Sequence, residues 1–188
     1  MKNQVPSLYK VLSIAGSDSG GGAGIQADIK TITALGGYAT TAITALTAQN
    51  TLGVHSVFEV PASFVSQQID TVMTDIGTDA VKTGMLLCKD IVDVVSLKIK
   101  EYHIKRVVVD PVMLSKNERM LLSTDAIYAL TAHLFPLSFI VTPNIPEAGY
   151  ITGLKIQNLS HAEEAAKFIY RLGPSHVLIK GGHAESAW

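Results

Sequence analysis

The chain has 188 residues, of which 47% are hydrophobic and only 16% charged, and its formal net charge is −1. Most of it should therefore be buried in one core, and the lack of a basic run argues against a nucleic-acid partner. The single cysteine, Cys88, excludes an internal disulfide and fits a reducing cytoplasm, while no apolar run is long enough to span a membrane.

A strand, a glycine-rich turn and a helix are predicted in that order near the N-terminus. Residues 11–15 are a short apolar run, which is typical of a buried strand. Residues 16–22 include four glycines, and from residue 23 isoleucines recur at helical spacing. The start of a helix offers unpaired N–H groups that suit a polar or anionic ligand. The alternative is a flexible surface loop that happens to be rich in glycine.

Two well-known glycine motifs fit this turn poorly. Gly16 and Gly21 have the spacing of a phosphate-binding loop, but Gly22 and Ala23 follow where lysine and a hydroxyl residue are required. Residues 22–27 match a dinucleotide-binding pattern, but its first glycine comes six positions too late after the strand, and the second strand ends without an acidic residue. Neither a Walker-type nor a dinucleotide site is therefore favoured.

The next segments predict two strands and a helix, with amides at a strand end. Residues 38–44 favour a strand that leads to Gln49 and Asn50, whose amides could bind a heteroaromatic ring edge. A simple polar turn is equally compatible with this segment. Residues 54–60 alternate in polarity and predict an antiparallel or edge strand, after which Pro61 and Ser63 begin a helix.

The middle of the chain places a glycine–methionine pair and an aspartate after predicted strands. Gly84 and Met85 follow the strand at residues 79–83, where they could line a pocket or form an ordinary turn. Cys88 is interpreted as a small apolar filler before a helix that starts at Asp90. The valine-rich strand at residues 106–109 leads to Asp110, which could meet a metal ion or phosphoryl group or serve as a turn residue.

The C-terminal third repeats the pattern of helix and strand. Ser123 is the predicted cap of a helix to residue 134, and the strand at 138–141 precedes Asn144 and Glu147, three positions apart. This pair could serve Mg²⁺ and its waters or act as ordinary helix N-terminal chemistry. Ser160 is the predicted cap of a last helix, and the strand at 176–179 leads to Lys180.

Alternating strands and helices predict an α/β fold, with a mostly parallel sheet and helices on both faces. The carboxyl ends of parallel strands meet at one sheet edge, so we expect the polar residues that follow them to meet there. The histidines have no paired metal-ligand spacing, which gives no indication of a zinc site.

Six motifs follow one another along the chain, namely AGSDSGGGAGIQADIKT, TALTAQNT, KTGML, DPVM, TPNIPEA and IKGGH. In this order they resemble the hydroxymethylpyrimidine and phosphomethylpyrimidine kinases of thiamine biosynthesis, which are ribokinase-like. The resemblance runs from about residue 11 to residue 183, and its first motif is the most specific. It implies a single ribokinase-like kinase domain over residues 1–188. It also implies ATP- and Mg²⁺-dependent phosphorylation of 4-amino-5-hydroxymethyl-2-methylpyrimidine and of its monophosphate.

The same resemblance implies roles for individual residues. Gln49 would hold the aminopyrimidine edge, with the rest of the substrate pocket formed by Gly16, Asp28, Met85 and Val112. ATP phosphates and Mg²⁺ would be served by Asp110, Asn144 and Glu147, with Lys180 on the ATP phosphates.

Two departures from the family pattern stand out. Residues 117–120 are Asn-Glu-Arg-Met, where the family usually has a Gly-Asp turn. The family's later Gly-Thr-Gly motif, which supplies the anion hole and the catalytic base, is missing before Trp188. We therefore expect an N-terminal portion of the domain that contains no catalytic base and is inactive as a kinase by itself. A pyridoxal-type kinase or a catalytically dead pyrimidine-binding module are the alternatives, and a cytoplasmic homodimer is the expected assembly.

Overall fold

A computed structural model describes residues 8–113 and 122–181. The unusual segment at residues 117–120 and the final residues of the IKGGH motif lie outside this part. The described strands are β1 (Lys10–Asp18), β2 (Tyr38–Asn50), β3 (Gly53–Glu59), β4 (Ala80–Thr83), β5 (Val107–Val109), β6 (Ile140–Val141) and β7 (His176–Val177).

These strands form one seven-stranded sheet in the order β3-β2-β1-β4-β5-β6-β7. Every neighbouring pair is parallel except β2 and β3, which form an antiparallel hairpin at the edge. The predicted mostly parallel sheet is confirmed, as is the antiparallel edge position of β3.

Helices connect the parallel strands. They are α1 (Gly24–Ala34), α2 (Ala62–Asp75), α3 (Lys89–Glu101), α4 (Thr124–Ala129), α5 (Ile145–Thr152) and α6 (Leu159–Tyr170), and α4 continues as a π-helical turn at Leu130–Leu134. The β1–β2 crossover runs across the sheet in the opposite direction from the later ones, so right-handed connections place α1 on the face opposite to α3. Within the described ranges, every helix is too short or too polar to cross a bilayer.

The core lies between the sheet and the helices that follow β3. Strand valines and leucines pack there against the apolar faces of α2 and α3, whose spacing matches the helical period. Burying one such side chain contributes about 1.5–3 kcal/mol. Fully buried members include Leu12, Ile14, Val65, Ile69, Val81, Ile91, Val95, Val107 and Val109.

Three predicted boundaries are wrong. The first strand, predicted at residues 11–15, runs from Lys10 to Asp18. The strand predicted at residues 38–44 continues to Asn50, because pairing with β3 extends it beyond the sheet's centre. The last helix is capped by Asn158 rather than by Ser160, since the Asn158 side chain accepts a hydrogen bond from the N–H of His161 at 2.9 Å. An amide two residues earlier thus replaces the expected hydroxyl as the cap.

Strand order reverses between β1 and β4, which lie side by side. The connection from β1 leads to β2 on one side, whereas the connection from β4 leads to β5 on the other. Such a switch point leaves a crevice at the carboxyl ends of the two strands, which is where ligands bind in open α/β sheets.

Candidate functional site

A cavity of about 820 Å³ lies at this switch point. The ends of β1, β4 and β5 form its base, and the β2–β3 hairpin folds over one side. Its volume is within the range of sites for small organic ligands. Six residues predicted from the sequence line it, namely Gly16, Asp28, Gln49, Met85, Asp110 and Val112.

Asp18 holds the glycine-rich turn in shape. Its side chain is 5% exposed and accepts hydrogen bonds from the N–H groups of Gly20, Gly22 and Ala23 at 2.8, 3.0 and 2.8 Å. Asp18 thus supplies an anion to three N–H groups of the turn that precedes α1. Sequence reasoning did not identify Asp18 as the acceptor that shapes this turn.

Gly16 allows Met85 to pack directly against the backbone of β1. A Cβ atom at Gly16 would lie 2.6 Å from the Met85 Cε atom, closer than any real contact. The hydroxyl of Thr44 donates to the Met85 carbonyl oxygen at 2.6 Å and fixes this backbone. Both predicted residues therefore belong to one apolar wall of the cavity.

Gln49 lies in β2 and not in a turn. Its N–H donates to the Ser19 hydroxyl, which donates back to the Gln49 carbonyl, each at 2.8 Å. The Thr47 hydroxyl donates to the Ser17 carbonyl oxygen at 2.9 Å and also lies 3.2 Å from the Gln49 side-chain oxygen. Among the described residues, no acceptor contacts the side-chain nitrogen of Gln49, so this N–H donor is left for a ligand.

Asp28 is held from two sides by strands of the sheet. Its Oδ2 atom accepts hydrogen bonds from the Ser13 hydroxyl at 2.6 Å and from the Lys82 ammonium at 2.9 Å. Lys82 also lines the cavity but was missed by sequence reasoning. Its position in β4 opposite Ser13 could have been found only once the strand register was known.

A second cluster gathers the residues predicted to serve phosphates. The Lys180 ammonium donates to Asp110 Oδ1 at 2.6 Å, and Lys180 also forms a parallel bridge with Asn144. Asp110 lines the cavity, whereas Lys180, Asn144 and Glu147 do not. Asp110 is therefore the link between the cavity and this cluster.

Asn144 and Glu147 form a reciprocal cap on α5. The Glu147 N–H donates to Asn144 Oδ1, and the Asn144 N–H donates to Glu147 Oε2, both at 2.8 Å. The alternative of ordinary helix N-terminal chemistry is confirmed for this pair. Within the described ranges, no group of three or more His, Cys, Asp and Glu side chains is arranged to hold a metal ion.

Glu147 is nevertheless an unusual cap because it is only 2% exposed. Burial raises the pKa of its carboxyl group, and the nearby Asp110 carboxylate raises it further. The N–H groups of Asn144 and Met113 and the Lys180 ammonium act in the opposite direction. The net result is a carboxyl group that retains its proton more readily than an exposed glutamate does.

We predict that Glu147→Gln stabilises the protein relative to the unaltered chain as the pH rises. Unfolded Glu147 loses its proton above its ordinary pKa of 4.5, whereas the folded state retains it longer. Stability therefore falls from about pH 4.5 up to the raised pKa of the folded carboxyl group and is constant above it. A glutamine side chain can still accept the hydrogen bond from the Asn144 N–H. Because it does not titrate, it removes the pH dependence of stability that Glu147 causes. Urea unfolding at several pH values should give stabilities that match within about 0.5 kcal/mol below pH 4.5. The advantage of the variant should grow as the pH rises above 4.5 and then level off. A constant difference at every pH would contradict this assignment.

Comparison with known proteins identifies the fold's relatives. The model of a family described as phosphomethylpyrimidine kinase matches residues 18–188. The chain belongs to the phosphomethylpyrimidine kinase family. The resemblance deduced from the six motifs is thereby confirmed.

Members of the phosphomethylpyrimidine kinase family and pyridoxal kinases share this fold. A hydroxymethylpyrimidine/phosphomethylpyrimidine kinase of Bacillus subtilis is 51% identical over 177 residues, which are 94% of this chain and 65% of that protein. The crystal structure of a phosphomethylpyrimidine kinase from Clostridium difficile has a TM-score of 0.88 at 47% identity and covers 95% of this chain and 78% of the other. The structure of a Bacillus subtilis pyridoxal kinase in complex with ADP has a TM-score of 0.86 at 39% identity, and the match covers 96% of this chain and 68% of the other.

The chain therefore spans just under two thirds of the Bacillus subtilis phosphomethylpyrimidine kinase that it matches. The matched part includes the glycine-rich turn, the cavity and the Asp110 cluster, because together these lie between residues 16 and 180.

Proposed function

We propose that the cavity binds 4-amino-5-hydroxymethyl-2-methylpyrimidine and its monophosphate, and that the protein phosphorylates both with ATP and Mg²⁺. The observation that carries the proposal is the position of Asp110, which lines the cavity and is paired with Lys180 at 2.6 Å. A substrate hydroxyl in the cavity would thus lie next to groups suited to phosphate and magnesium. Membership in the phosphomethylpyrimidine kinase family supports the choice of substrate.

Asp110 and Lys180 fit a phosphate site because each could leave its partner in the ion pair and contact a ligand instead. The two groups neutralise each other in an ion pair. When Mg-ATP binds, the Lys180 ammonium would turn to the phosphates, and Asp110 would be free to contact Mg²⁺ or its waters. Asn144 and Glu147 are occupied by their mutual hydrogen bonds, so we assign them to metal-bound water rather than to the ion itself.

The kinase assignment is tested by ADP formation with Mg-ATP on the full gene product. We expect turnover with the hydroxymethylpyrimidine and its monophosphate, and less with pyridoxal. Faster turnover with pyridoxal would favour the pyridoxal-kinase alternative, and binding without ADP formation would favour a catalytically dead module.

We predict that Gln49→Leu weakens binding of the hydroxymethylpyrimidine by about 1–3 kcal/mol. The pyrimidine edge would lose its hydrogen bond with the Gln49 side-chain amide, and one polar atom of the ring would be buried without a partner. The free energy of unfolding should change little, since among the described residues the Gln49 side chain contacts one polar group, the Thr47 hydroxyl at 3.2 Å. Isothermal calorimetry measures the first quantity and urea unfolding the second. Gln67→Leu on the exposed side of α2 is the matched control. Equal affinity of the Gln49→Leu and Gln67→Leu variants would contradict a ligand contact.

The assembly is proposed to be a cytoplasmic homodimer. Leu46 and Phe58 are cross-strand neighbours on the β2–β3 hairpin, and they are 46% and 67% exposed. An apolar edge strand of this kind is commonly covered by a second subunit. Sedimentation analysis measures the mass directly.

A further inference from the structure

Lys82 and Asp28 form an ion pair in the cavity wall, and the proposed function assigns no role to Lys82. The Lys82 ammonium lies 2.9 Å from Asp28 Oδ2, and the two side chains are 24% and 18% exposed. Lys82 also lines the cavity beside Gly84. Its ammonium group is therefore held in the cavity wall by contact with one particular carboxylate, that of Asp28.

The arrangement around Asp28 is asymmetric. Lys82 and the fully buried Ser13 both donate to Oδ2, and no donor among the described residues contacts Oδ1. The carboxylate therefore has a fixed orientation, with one oxygen satisfied by the protein. Its other oxygen remains an acceptor for a ligand in the cavity.

We infer that Lys82 is a positioning residue that fixes Asp28 to accept a hydrogen bond from the exocyclic amine of an aminopyrimidine. This inference rests on the proposed function. An aminopyrimidine edge carries an amine donor beside a ring-nitrogen acceptor. The cavity offers the complementary pair, a carboxylate acceptor on Asp28 and an amide N–H donor on Gln49. Pyridoxal has no such amine, so the Lys82–Asp28 pair selects for the aminopyrimidine.

Calorimetry on the full gene product with two ligands tests this role. The ligands are 4-amino-5-hydroxymethyl-2-methylpyrimidine and the same molecule without its amine. Lys82→Met should weaken binding of the amine by about tenfold, because an unfixed carboxylate loses a charge-assisted hydrogen bond. It should change affinity for the analogue by less than about twofold. Lys89→Met, which removes an ion pair with Asp93 on α3 outside the cavity, is the matched control and should change neither.

A double-variant cycle separates positioning from general stability. If Lys82 acts through Asp28, the Lys82→Met/Asp28→Asn variant should bind the amine no more weakly than Asp28→Asn alone. Lys82→Gln, a shorter neutral donor, replaces the methionine variant if thermal unfolding shows that the latter does not fold. Equal losses for both ligands, or additive losses in the cycle, would overturn the inference while leaving the proposed function intact. Failure of the unaltered chain to bind either ligand would overturn both.

Discussion

Gly24→Ala should destabilise the protein by about 3 kcal/mol or more and should also reduce ligand binding. A Cβ atom at this position would lie 2.2 Å from the Gly16 carbonyl oxygen, and backbone atoms of β1 cannot move aside as a flexible side chain would. Gly24 also has a φ of +56°, a conformation that costs a non-glycine residue about 1–2 kcal/mol. Because Gly16 lines the cavity, any relaxation of this clash shifts the cavity wall.

Gly36→Ala is the matched control for this substitution. Gly36 has a similar φ of +78°, but nothing lies within 4 Å of a Cβ atom built there. Gly36→Ala therefore measures only the cost of placing alanine at a positive φ, about 1 kcal/mol of unfolding free energy. Urea unfolding of the two variants should separate the terms. Equal destabilisation by Gly24→Ala and Gly36→Ala would show that the close approach of α1 to β1 is unimportant.

Asp18→Asn should destabilise the protein by about 2–3 kcal/mol. The carboxylate accepts three backbone N–H groups through both oxygens. An amide offers one oxygen and places donor hydrogens against the remaining N–H groups. The turn would then open, and hydrogen exchange at Gly20 and Gly22 should accelerate with the loss of stability.

The exposed Asp75 at the end of α2 provides the control for charge. Asp75→Asn removes the same formal charge from the chain without disturbing the turn. Asp75→Asn should lower the free energy of unfolding much less than Asp18→Asn does. If Asp75→Asn costs as much as Asp18→Asn, then net charge rather than the hydrogen bonds of the turn explains the loss.

The strand alternation and the positions of residues after strand ends were predictable from the sequence. Asp110 and Met85 were placed correctly because parallel strands bring their carboxyl ends to a common edge, whatever the details of packing. Gln49 was placed in the right region but in the wrong element. The extension of β2 to Asn50 depends on pairing with β3, and such non-local pairing leaves only a weak trace in the sequence.

Asp18 and Lys82 show what the sequence could not supply. The structural role of Asp18 depends on a turn that bends three N–H groups to one carboxylate. The contact of Lys82 with Asp28 depends on the register of β4 against β1. Asn144 and Glu147 had two interpretations at the same spacing, and their reciprocal hydrogen bonds at 2.8 Å identify a helix cap.

A co-crystal structure with 4-amino-5-hydroxymethyl-2-methylpyrimidine tests most directly whether the cavity at the β1–β4 switch point is the substrate site. The ring should lie against Met85, with its aminopyrimidine edge on Gln49 and Asp28 and its hydroxymethyl group directed to Asp110. Electron density for the pyrimidine outside the cavity, or within it but with the hydroxymethyl group directed away from Asp110, would contradict the account.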